Sequence, residues 1–198
     1  TPQQEAHFQH LARVAFELNM MFGTLVVVAV AFLGVPFVDL VLGSKFDPLA
    51  PFLTWLAIVQ GVRVLKGGPS VVALARGATT NAMIANIIRV ALLPVAWLAA
   101  LRTGQVFPII VIGLAGELLG FGVAMWLARR TVQVSLRQLA GPCVLVLLTM
   151  VAALDPAGWL GLDGSRPWSL AATLLLLAAT LISMRDLRTF VRPRSSRS

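Results

Sequence analysis

Four ionisable residues sit deep inside otherwise apolar segments, Arg63, Lys66, Arg89 and Glu117, whereas Asp39 lies near the end of its segment. A charge at the centre of a bilayer costs about 2.5–3.5 kcal/mol on insertion scales, so four of them need a role. Arg63 and Lys66 are three residues apart and share one helix face. Arginine grips a phosphate through paired N–H bonds, and lysine acts on it as a point charge. With Arg89 they could line a water-accessible cationic cavity for a phosphate or pyrophosphate head group, with Glu117 as charge partner or coupling group. A structural reading stands beside it. Arg63 and Glu117 could form a simple pair, while Lys66 and Arg89 reach the interface along their aliphatic stems.

Other chemistry is sparse. His7 and His10 are three apart, but Glu5 is the one further ligand type nearby, so no metal site is expected. Cys143 is the single cysteine and lies in an apolar run, which predicts a buried, inert thiol and excludes an internal disulfide framework. No histidine falls in an apolar segment, so a Ser–His membrane protease pair is missing. No Walker A pattern occurs, and Asp155 and Asp163 stand alone in a loop. Neither catalytic residues nor cofactors are expected, and the chain reads as non-enzymatic.

The elements that must carry the four charges follow from composition. Of 198 residues, 58% are hydrophobic and 12% charged, about half the charge of an ordinary soluble domain. Mean hydropathy is +0.87. Such a chain cannot build a water-facing surface, nor is it disordered. At about 20 apolar residues per crossing it has room for five or six helices. Apolar runs at 18–42, 49–75, 82–101, 106–128, 137–154 and 168–184 predict an all-α integral membrane protein of about six transmembrane helices. An amphipathic lead-in (1–17, with Phe8, Leu11, Val14 and Ala15 on one face) precedes them, and a basic tail (185–198) follows. Pro94 and the Gly67-Gly68-Pro69 run are expected to kink or break their helices. Gly116 and Gly120 have the small-xxx-small spacing that lets helices approach closely.

The sixteen basic residues orient the chain. Six crossings put Arg13, Arg76, Arg129, Arg130, Arg137, Arg185, Arg188, Arg192, Arg194 and Arg197 on the side of both termini. Lys45, Arg102 and Arg166 fall opposite, and Arg63, Lys66 and Arg89 stay in the membrane. By the positive-inside rule both termini are cytoplasmic. The net charge of +8 then belongs beside anionic membrane lipids rather than nucleic acid. Arg63 and Glu117 fall near mid-helix, and Lys66 and Arg89 roughly 10–13 Å from the cytoplasmic ends.

Residues 38–97 carry a resemblance. Leu42-Gly43, Phe46-Asp47, Ala50, Leu53, Leu56-Ala57, Arg63, the Ala73-Leu74-Ala75-Arg76-Gly77 turn, and Asn81 with Asn86 follow a recognisable order. It resembles the C-terminal half of the polysaccharide (O-antigen/lipopolysaccharide) flippases of the MATE-like exporter superfamily. The match covers about 60 residues, and the later crossings only by hydropathy and spacing. The resemblance implies one lobe of a two-lobed, alternating-access transporter in the bacterial inner membrane. It implies an undecaprenyl-pyrophosphate-linked oligosaccharide as cargo, and an N-terminal lobe or other polysaccharide-assembly proteins as partners. The chain opens on Thr1, which agrees with a C-terminal portion of a larger flippase. Two alternatives stay open: a small membrane scaffold or assembly subunit without transport, and a drug/cation antiporter of the same superfamily.

Overall fold

The lead-in and the first apolar run form one unbroken helix, α1 (Pro2–Leu42), because neither Pro nor Gly interrupts the chain between Glu5 and Met21. A computed structural model describes residues 2–132, 136–154 and 166–191, and it is all-helical there. After a 3-10 turn at Ser44–Leu49 come α2 (Ala50–Ala75), α3 (Thr79–Ala91), α4 (Leu93–Thr103) and α5 (Phe107–Val132). α6 (Leu136–Ala153), α7 (Arg166–Ser183) and α8 (Arg185–Val191) complete the order. Asp155, Asp163, Arg192, Arg194 and Arg197 lie outside the described residues.

Three stretches are long and apolar enough to cross a membrane: Pro2–Leu42, Thr79–Thr103 and Phe107–Thr131. The second joins α3 and α4. α2 matches α5 in length but carries Arg63 and Lys66, which lower its hydropathy. Gln138–Ala153 and Pro167–Ser183 are shorter apolar helices.

The two proline sites behave differently. At Pro94 the expected interruption occurs: α3 stops at Ala91, and α4 restarts at Leu93 with the proline in its first turn. There a missing N–H and a fixed φ do least harm. Gly67-Gly68-Pro69, by contrast, does not break α2. Those glycines are packing surface instead. A Cβ on Gly67 would stand 2.7 Å from Asn19 Oδ1, and one on Gly68 would stand 3.2 Å from the Phe16 backbone. Ser70 beside them turns its hydroxyl onto the Lys66 carbonyl at 2.9 Å.

The helices pack in a row. α2 lies between α1 and α5; α3 and α4 lean on α5, while α6 covers α1 and α7 covers α6. Phe16, Met20, Val27, Val62, Leu65, Leu139, Val146 and Met150 form the hydrophobic centre. Buried Thr24, Thr149, Thr173 and Thr180 return their hydroxyls to the carbonyl four residues back, and among the described residues no buried side-chain polar atom lacks a partner.

Contacts between helix ends sort the basic residues. Arg76, after α2, pairs with Glu5, while Asn81, in the first turn of α3, donates to Thr131 near the end of α5 at 3.1 Å. Asp186 of α8 accepts from His10 at 3.0 Å and Arg13 at 3.1 Å. Arg13, Arg76, Arg129, Arg130, Arg185 and Arg188 therefore share one end of the bundle. Lys45 and Arg102 stand at the other, where Trp55 packs edge-on against Phe107 with ring centroids 5.3 Å apart.

Candidate functional site

Glu117 is placed by glycine. A Cβ on Gly120 would come within 2.9 Å of the Ala85 carbonyl oxygen, and one on Gly116 within 3.6 Å of the Arg89 Cα. These two residues bracket Glu117 on α5 and let α3 settle against it. Gly113 and Gly122, on the same helix, face open space. The spacing seen in the sequence thus has a local purpose: it draws the α3 backbone towards the acid.

On this floor converge cations from two helices. Arg63, from α2, donates through Nε and Nη2 to Glu117 Oε1, both at 2.9 Å. Its Nη1 reaches Gln60 Oε1 at 2.9 Å. Lys66, one turn along the same face, donates Nζ to Glu117 Oε2 at 2.9 Å and to Asn86 Oδ1 at 3.2 Å. Arg89, from α3, adds Nη1 to Oε1 at 3.3 Å. Three cations therefore share one carboxylate, leaving two formal positive charges in excess.

Burial is graded across the cluster. The Glu117 side chain is 1% exposed and that of Lys66 8%, whereas Arg89 is 35% and Arg63 43% exposed. Gln60 and Asn86 are exposed as well. α5 packs against both α2 and α3, so the acid is enclosed between the three helices while the two arginines reach the surface. One turn beyond Arg89, the interruption at Pro94 leaves an apolar hollow of about 470 Å³, lined by Val90, Leu93, Pro94, Ala96, Trp97 and Ile109.

All four charged residues singled out in the sequence meet here. Their pairing is what the sequence did not specify. The simple Arg63–Glu117 pair is a four-membered cluster, and Lys66 and Arg89 turn to the acid instead of stretching to the helix ends. A second polar group, where α8 meets α1, escaped sequence reasoning. Glu17, 3% exposed, accepts the Leu187 backbone N–H at 2.7 Å, close to the Asp186 contacts of His10 and Arg13. His10 is thus an ion-pair partner of Asp186, and His7 is exposed. Cys143 is partly buried, where a fully buried thiol was expected. No family model, curated protein or solved structure matches the chain.

Proposed function

We propose that this chain is a membrane-embedded part of a flippase for lipid-linked oligosaccharides, acting in polysaccharide biosynthesis at the bacterial inner membrane. Its cationic cleft receives the pyrophosphate of the carrier lipid. The observation that carries the reading is the pair of partly exposed arginines, Arg63 and Arg89, meeting on one carboxylate oxygen between apolar helices. Partly exposed guanidinium groups facing lipid are costly even when paired to one acid, which favours a cleft that holds water or an anion. The hollow beginning at Val90 offers an apolar surface to a prenyl chain whose head group rests on Arg89. Six crossings with cytoplasmic termini, in the manner of one lobe of a MATE-like transporter, accommodate the grouping of arginines at one end.

The direct test is binding. The purified protein in detergent micelles should bind farnesyl diphosphate, and Arg63→Gln and Arg89→Gln should each weaken binding about tenfold or more, as expected for a lost charge-assisted hydrogen bond. Bacteria carrying the double substitution should lose export of the corresponding surface glycan. The scaffold alternative predicts a dry cluster. With Cys143 replaced first, cysteines at positions 63 and 89 should react with a membrane-impermeant thiol reagent; complete protection at both would favour the scaffold.

A further inference from the structure

We infer that Glu117 is an internal stand-in for the anion, occupying on Arg63 and Arg89 the place that an incoming diphosphate takes. The inference rests on the proposal that those arginines receive an anionic head group, and it assigns the acid a specificity-determining role in that site.

The two carboxylate oxygens are used differently. Oε2 holds Lys66, which is buried and secured a second time by Asn86. Oε1 holds Arg63 and Arg89, the two exposed cations, which come from different helices. Lys66 alone matches the charge of Glu117. If both arginines leave, the acid keeps a buried partner and never becomes an uncompensated charge, the outcome that makes breaking a buried ion pair so costly.

The arginines are also spaced for exchange. Both donate to one oxygen atom, so a single phosphate group placed there can be bridged by both. Arg89 is the looser of the two, with one bond at 3.3 Å, and leaves first. Arg63 follows by giving up its two bonds to Oε1 while Nη1 stays on Gln60.

Competition with a fixed carboxylate sets a threshold on the ligand. An anion of like charge and the same two oxygens, such as another carboxylate, gains little by displacing Oε1. A diphosphate brings more charge and more acceptors and wins the exchange. When the diphosphate departs, Oε1 takes the arginines back, so the empty cleft stays assembled. The same acid thereby favours discharge of the ligand.

Isothermal titration of the full chain in detergent micelles tests this with farnesyl diphosphate, farnesyl monophosphate and inorganic pyrophosphate as probes. Glu117→Gln should bind farnesyl diphosphate at least tenfold tighter than wild type and should narrow the preference for diphosphate over monophosphate. If the gain appears with inorganic pyrophosphate too, the diphosphate alone is the recognised group; if it appears only with the farnesyl form, the lipid is required. Either result supports the stand-in role. Unchanged or weaker binding by Glu117→Gln, with thermal unfolding like that of wild type, would make Glu117 a positioning residue and overturn it. Should Glu117→Gln fail to fold, the double variant Lys66→Met/Glu117→Gln, which removes the buried pair together, carries the same expectation. Equal binding by wild type and Arg63→Gln/Arg89→Gln, or no binding by any variant, would instead sink the anion site itself.

Discussion

Arg76 joins two segments through one side chain. Its guanidinium lies 4.1 Å from the centroid of the Phe8 ring and pairs with Glu5, so the start of α1 is tied to the turn after α2. The hydrogen bond from Arg76 holds the Glu5 carboxyl below its ordinary value of 4.5. Because the pKa is depressed in the folded protein, the attachment is complete above the ordinary value and is lost as pH falls through the lowered one. Spin labels at positions 6 and 78 should therefore report a narrow distance distribution at pH 7 that broadens as pH falls below the ordinary glutamate value. Arg76→Gln should show the broad distribution at pH 7 as well. A distribution that stays narrow throughout would mean that the Phe8 contact alone secures the segment. Within the cleft, the acid was found in the sequence by counting its depth along a helix. Arg63, Lys66 and Arg89 were singled out with it, but that all three meet on it was not legible, since spacing places residues on faces and does not say which carboxylate oxygen each donor reaches.

At the scale of elements, glycine decides where helices touch. Gly23 and Gly61 oppose each other between α1 and α2: a Cβ on the first would stand 2.8 Å from the carbonyl oxygen of the second, and the reciprocal distance is 3.0 Å. Backbone meets backbone there. Gly23→Val should push the helices apart and cost about 1–3 kcal/mol, the usual range for overpacking a tight interior. Gly113→Ala, with nothing within 4 Å of its new methyl, should be neutral or stabilising by up to about 1 kcal/mol. Thermal unfolding of both variants in one detergent checks the contrast, and equal losses would refute it. Pro94 and Pro69 teach the same point. The interruption at Pro94 was legible from its residue type, but the continuation of α2 through Pro69 depends on the α1 surface against Gly67 and Gly68.

At the scale of the molecule, the first half of α1 is fastened to α8. Asp186 receives His10 and Arg13, Glu17 receives the backbone N–H of Leu187, and Met184 and Leu187 are buried beside them. A carboxylate at the first turn of α8 also complements the partial positive charge of that helix end. Removing both acids should release α8. In Glu17→Gln/Asp186→Asn, amide exchange over 185–191 should accelerate at least tenfold, because hydrogen bonds to charged groups contribute about 1.5–3 kcal/mol each. Exchange over the α1–α2 seam should stay as it is. If both regions accelerate equally, α8 belongs to one cooperative unit with the core.

The sequence by itself determined that this protein is helical and apolar enough for a membrane, and that Arg63, Lys66, Arg89 and Glu117 lie where charge is expensive. Those conclusions depend on composition and on rise per residue, which are properties of a chain taken one helix at a time. It also separated the basic residues into groups, and contacts between helix ends bring one group together. Only the tertiary structure decided that three cations share Glu117, that Gly116 and Gly120 admit α3 to it, and that α8 docks on α1. Each of these is a pairing between residues distant in sequence. Such pairings are selected by side-chain volume and by the satisfaction of buried donors and acceptors, neither of which periodicity records.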